Sequence, residues 1–343
     1  MRLDSILLMY FNRKWNSPDD AVPHENQPLS RIRGRGAKVA AMLLAIPSWL
    51  WVLFTLVASA SQTARNAMQR DLTGTVGTAG ATCVRFLYGL PFAVLSLAIQ
   101  RWVTGVETPD LDARALLWGV VGSGTQVLAT ALMLIAMKGR SFVVTIACTK
   151  TEPVLVALFS ILFLSETPTP MVALAIAVAT LGVLVMSFPK AGPGGERPGP
   201  RPLLVGVASA AFFGLSATGY RGAILAIHSP SFLMTATTTL VMGLTMQSIF
   251  IVVWLALRDR PLLAAIARAW RPSLLAGFMG AVASQFWFLA FAISTPTKVR
   301  TLALVEVPFA QVVSRGMFKQ GATAREALGI ALIVAGVVML LAG

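Results

Sequence analysis

The sequence predicts an all-α membrane protein: ten transmembrane helices arranged as two inverted five-helix repeats. Three observations predict it. Of 343 residues, 56% are hydrophobic and 12% charged, with a mean hydropathy of +0.74, whereas a soluble domain carries about 25% charged residues. The apolar segments are long enough, at about 20 residues, to cross a hydrocarbon core as helices, and apolar on all sides, unlike barrel strands that alternate over about ten. A Pro/Gly-rich stretch divides these segments five and five, and the two sets resemble each other.

Residues 1–37 are polar, proline-punctuated and basic, and are read as a disordered N-terminal tail with an amphipathic start at Leu3–Phe11. Ile6–Phe11 is too short for a signal peptide and lacks a small-residue cleavage site. Arg31, Arg33, Arg35 and Lys38 stand directly before the first span. The chain carries 28 Lys+Arg against 14 Asp+Glu, a net +14. Basic residues flanking spans account for this without nucleic acid, which is not expected as a partner.

Spans are expected at 40–63, 77–99, 115–137, 141–164 and 169–188, forming a first repeat within 38–188. The linker 189–202, PKAGPGGERPGPRP, cannot continue a helix. A second repeat over 203–343 holds spans at 203–225, 231–257, 273–294, 297–318 and 324–342. Glu152 to Gly182 and Glu306 to Gly336 are both 30 residues, and TARNAM (Thr63–Met68) aligns with GYRGAI (Gly219–Ile224), pairing Arg65 with Arg221. Five spans per repeat place the second copy upside down, the arrangement on which secondary transporters build alternating access.

Glu152 lies about 18 Å into its predicted helix beyond Arg140, and Glu306 is mid-span in the matching helix. An ionisable group at that depth costs several kcal/mol unless it faces a cavity or a partner. Each is read as a coupling or solute-amine acid, or as a structural acceptor for a helix end freed by Pro153 or Pro308. Lys150 is about 200° round the helix from Glu152 and cannot be its partner within the helix. It lines the cavity or pairs with an acid on another helix. Thr145, Cys148 and Thr149 continue the face of Glu152.

Gln126 and Gln285 are amides in apolar helices, suited to interhelical hydrogen bonds. Arg65 and Arg221 close their predicted spans and are read as snorkelling to the interface. Arg85, deeper, is a packing partner or a solute contact. Tyr220, Phe286, Trp287 and Phe288 are candidates to stack on a solute. Gly119, Gly122, Gly124, Gly277 and Gly280 read as close helix contacts.

No GxxxxGK[ST] motif occurs, and no serine nucleophile accompanies a buried histidine, so no enzyme activity is expected. His24, His228, Cys83 and Cys148 make no ligand cluster, so no metal and no cofactor is expected.

The segments TEPVLVALFSILFLSETPTP and VALAIAVATLGVLVM resemble the fourth and fifth helices of an EamA repeat of the drug/metabolite transporter superfamily. VEVPFAQVVSRGMFKQGATAREALGIALIVAGVVML resembles a second copy. The resemblance covers 40–342, with two departures: Gln320 stands where Glu166 stands in the first repeat, and Val307 interrupts the glutamate–proline pair. It implies secondary transport of a small organic solute, bound between helices 1, 3 and 4 and helices 6, 8 and 9. Export of amino acids or related metabolites is expected, driven by the solute gradient or by protons. The alternatives are a multidrug or amphipathic-cation exporter and, from another class, a non-transporting membrane receptor or scaffold. It further implies a multi-pass protein of a bacterial inner membrane, in contact with lipid, as monomer or homodimer alike. Arg31–Lys38 favour a cytoplasmic N-terminus, against which Arg258, Arg260, Arg268 and Arg271 would lie outside.

Overall fold

The computed structural model describes residues 47, 49–139, 149–187, 200–229, 231–307 and 324–342. The tail 1–37, the linker positions up to Gly199, and Thr145, Cys148, Pro308 and Gln320 lie outside the described residues. The chain divides into a unit of residues 1–45 and a unit of residues 46–343, and every described residue belongs to the second.

Every element among the described residues is helical. The first half contains α1 (Leu50–Leu87), α2 (Leu90–Thr104), α3 (Ala113–Gly139), α4 (Glu152–Leu164) and α5 (Pro170–Ser187). The second contains α6 (Pro200–Ala226), α7 (Phe232–Arg258), the short α8 (Arg260–Arg268), α9 (Trp270–Ile293), α10 (Pro296–Leu302) with a 3₁₀ turn at Ala303–Val305, and α11 (Ala324–Ala342). Four runs are long and apolar enough to cross a membrane: Leu50–Thr104, Ala113–Ala136, Phe232–Arg258 and Trp270–Ile293. Three shorter apolar helices, Glu152–Leu164, Pro170–Val185 and Ala327–Ala342, accompany them. Large apolar side chains such as Leu95, Val103, Leu117, Leu162 and Phe250 are exposed on the outer surfaces. A soluble monomer rarely exposes apolar surface on this scale, and lipid accounts for it.

The first two predicted spans need correction. The first helix does not stop near residue 63 but runs on through Gln69 to Val76, because no proline or glycine interrupts the segment before Gly74. Gly77 breaks it, with φ +67°, a conformation open to glycine at little cost. Beyond it, Gln69 Nε2 donates to the Ala81 carbonyl at 3.0 Å. Twelve residues along a straight helix span about 18 Å, so the chain bends sharply at Gly77. The predicted second span is interrupted again at Tyr88–Gly89 before α2.

Packing is dominated by three helix pairs: α1 with α9, α3 with α6, and α5 with α11. Each joins a helix before the linker to one after it, and each pair is antiparallel. Along α3 and α6, the Ser209 hydroxyl donates to the Ala129 carbonyl (2.8 Å) and the Ser216 hydroxyl to the Gly122 carbonyl (2.9 Å), while Gly222 lies against Trp118. Gly182 and Gly336 hold α5 and α11 together. A Cβ on Gly182 would lie 2.7 Å from the Gly329 carbonyl oxygen and 2.8 Å from the Ile333 nitrogen. A Cβ on Gly336 would lie 2.7 Å from the Ala179 nitrogen and 2.8 Å from the Ala175 carbonyl oxygen. The two crossings mirror each other: Gly182 meets residues 7 and 3 before Gly336, and Gly336 meets residues 7 and 3 before Gly182.

Of the other glycines, Gly119 meets Met242, Gly122 the Tyr220 ring, Gly277 the Tyr88 backbone and Gly280 the Arg65 stem. Gly124 has nothing within 4 Å and is not a close contact.

Candidate functional site

The glutamates do not sit inside unbroken helices, as the span lengths suggested. Glu152 opens α4: Pro153 occupies the first turn, where its missing N–H costs nothing, and Lys150–Thr151 form a turn before it. Glu306 follows the 3₁₀ turn Ala303–Val305. Glu152 therefore stands at a helix start, and Glu306, with helical dihedrals, just after a tightened turn, where the regular hydrogen-bond ladder is interrupted.

They face one cavity of about 40 Å³. Gln62, Arg65 and Asn66 of α1, Met133 of α3, and Thr149, Lys150 and Glu152 at the start of α4 line one side. Phe213 of α6, Arg300 of α10 and Glu306 line the other. The volume holds only a few water molecules.

Lys150 Nζ donates to Glu306 Oε2. Arg300 Nε lies 3.1 Å from Glu152 Oε1. The Arg300 guanidinium also lies 4.1 Å above the centre of the Trp287 ring. Trp287 Nε1 in turn donates to Gln62 Oε1 at 3.0 Å, so an outer layer orients the residues that face the cavity. A third pair, Arg221 to Glu166 at 2.9 Å, lies outside this lining, and Arg221 also donates to the Phe291 carbonyl. All three ion pairs join the chain before the linker to the chain after it.

Two arginines depart from the snorkelling expectation. Arg221 is held by Glu166. Arg65 is 1% exposed, deep within α1 rather than at its end, because the helix continues eleven residues beyond it to Val76. Its Nη2 donates to Asn66 Oδ1 at 2.9 Å, while Nε and Nη1 are buried without partners. Arg85 is also buried, its Nη1 donating to Thr130 Oγ1 at 2.8 Å.

The remaining sequence candidates lie behind the cavity wall. Gln126 Oε1 accepts from Gln247 Nε2 (2.7 Å), and the same Gln247 nitrogen donates to the Tyr220 hydroxyl (2.8 Å). Gln285 Nε2 donates to Thr237 Oγ1 (2.9 Å). Tyr220 packs on Phe288 with ring centres 4.5 Å apart. Of the eight residues singled out from sequence, Lys150, Glu152 and Glu306 line the cavity, whereas Arg85, Gln126, Tyr220, Gln285 and Trp287 do not. Sequence reasoning passed over Arg300 and placed Arg65 at the interface rather than in the cavity wall. The signal for Arg65 was its repeat partner Arg221; Arg300 had only its place in an apolar segment.

Residues 49–188 match the model of the EamA-like transporter family. No curated protein matches the chain. A solved crystal structure shares its fold at a TM-score of 0.62 and 14% identity, over 85% of this chain and 95% of that one. Residues 49–188, with their exposed apolar belts and buried charges, are thus an EamA-like transporter segment, of the drug/metabolite transporter superfamily, and the chain is a multi-pass integral membrane protein.

Proposed function

We propose that this protein is a secondary transporter of small organic solutes, exporting amino acids or related metabolites across a bacterial inner membrane by alternating access. The observation that carries this reading is the buried charge cluster. Five ionisable side chains surround one cavity in an otherwise apolar protein, where each charge is expensive unless paired or used. Its two ion pairs, Lys150–Glu306 and Glu152–Arg300, each join one half of the chain to the other. Such bonds hold the halves closed and must exchange partners when they part. A solute entering the cluster offers those partners, which makes opening on one side and closing on the other a response to binding.

The packing supports ten helices in two inverted repeats. In that scheme α1 and α6 are equivalents, as are α3 and α9, so the α1–α9 contact is the counterpart of α6–α3. The helix α5 meets its own equivalent α11 antiparallel, through equivalent glycines. Glu152 and Glu306 are the candidate coupling acids if protons supply the energy.

Counterflow in proteoliposomes tests the reading. Vesicles that carry the protein and are loaded with a metabolite panel should take up the labelled member of the same panel faster than empty ones, and Lys150→Gln should reduce that exchange at least tenfold. Protein that binds panel members yet exchanges none of them would assign it to the receptor class instead.

A further inference from the structure

We propose that Arg65 is the carboxylate anchor of this site, so that the cavity selects solutes carrying a carboxylate and rejects solutes that are cations only. This rests on the transport reading above and adds to it the class of solute and the residue that selects it.

Charge accounting leads there. Among the described residues lining the cavity are three cations, Arg65, Lys150 and Arg300, and two anions, Glu152 and Glu306. Lys150 takes Glu306 and Arg300 takes Glu152, leaving Arg65 without an ion pair of its own: Glu306 attracts it from beyond contact while Arg85 and Arg300 repel it. Among the described residues, Glu152 and Glu306 are the acids within the apolar segments, and Glu166, in the loop after α4, is taken by Arg221. Asp71, farther along α1, is exposed.

Arg65 is 1% exposed, its Nη2 meets only the neutral Asn66 amide, and its Nε and Nη1 have no acceptor. The two nitrogens stand on different edges of the planar guanidinium, and Nη2, which spends one N–H on Asn66, has a second N–H that completes a two-pronged fork for the two oxygens of a carboxylate with one or the other of them. A buried guanidinium with no ion pair in contact, repelled by two other arginines, carries a standing desolvation cost. An anionic group in the cavity removes that cost, whereas a cation raises it. Arg85 adds to the positive field: its stem and that of Arg65 both pass Gly280, whose Cβ position lies 3.3 Å from Arg65 Cδ and 3.7 Å from Arg85 Cγ. On the opposite wall, Glu306 Oε1 is a buried acceptor without a partner. It suits an ammonium on the same solute, provided the carboxylate is there to balance it. The 40 Å³ of the cavity admits little beyond a carboxylate group, so larger solutes need the halves to part.

The full chain, purified in detergent micelles at constant ionic strength, can be melted with four probe sets: the proteinogenic L-amino acids, acetate and propionate, ethylamine and tetraethylammonium, and chloride. Members carrying a carboxylate should raise the melting temperature by a few degrees, while the amines and chloride should not. Arg65→Gln should abolish the shift. If that variant does not fold, Arg65→Lys decides, because it keeps the charge and loses the fork: carboxylate affinity should fall on the order of tenfold, the value of one or two charged hydrogen bonds. Stabilisation by amines without carboxylates, an equal shift from chloride, no shift from any carboxylate, or wild-type affinity in Arg65→Lys would each overturn the assignment. Flux of the same probes separates it from the transport reading. Amines that cross while carboxylates do not would leave transport standing and remove the anchor. Carboxylates that bind through Arg65 yet never cross would leave the anchor and remove transport.

Discussion

Glu152 and Arg300 meet across the two halves at 3.1 Å, each an ionisable group in a site with little water. Removing one partner leaves the other buried and uncompensated, whereas removing both leaves only a polar gap. Glu152→Gln and Arg300→Gln should therefore each lower the melting temperature by more than half of what the double substitution does. Analysed as a cycle, the coupling should be about 0.5–3 kcal/mol, the range for residues in contact. Transport should be lost in all three variants, since the double substitution restores the fold and not the charges. Additive stability losses would mean that the pair contributes nothing to the closed arrangement. The acids themselves were legible from the sequence because carboxylates in apolar segments are rare. Lys150 was legible as a residue that lines a cavity or pairs across helices, but which acid it meets was not, nor was Arg300, because the two lie 156 and 148 positions from their acids.

At the scale of elements, glycines with the same residue name play different parts. Gly182 and Gly336 let α5 and α11 approach until backbone meets backbone, and backbone atoms cannot swing aside. Gly182→Ala and Gly336→Ala should each destabilise the protein by about 1–3 kcal/mol, as overpacking does, and by similar amounts, since their surroundings are equivalent. Gly124→Ala, with open space around it, should be neutral or stabilise by up to about 1 kcal/mol through helix propensity. Thermal unfolding in detergent measures all three, and unequal losses at Gly182 and Gly336 would contradict the equivalence of their crossings. Helix ends were the least legible features. A tract such as TARNAM looks like a terminus because it is polar, yet it lies mid-helix because Arg65, Asn66 and Gln69 face the protein interior rather than lipid.

For the whole molecule, the prediction concerns topology. The inverted arrangement requires α5 to carry the chain from one side of the membrane to the other. Thr167→Cys, before α5, and Gly195→Cys, in the linker, should label from opposite sides in a background where Cys83 and Cys148 are replaced by alanine. An impermeant maleimide applied to right-side-out and inverted vesicles reads the result. Labelling of both from one side would remove a crossing between them and with it the inversion of the second half.

Composition and the length of the apolar runs were sufficient to determine an all-helical membrane protein, and the segments around Glu152 carried the resemblance to the family that residues 49–188 match. These are properties of local chain: hydropathy summed over twenty residues, and a short pattern around a buried acid. Only the tertiary structure decided which charges neutralise one another. Lipid forces polar side chains inward without specifying their partners, and the partners come from opposite halves of the chain. For the same reason only packing could reveal that Arg65, which a span ending at residue 63 would leave at the interface, is a buried cation with two donors unused.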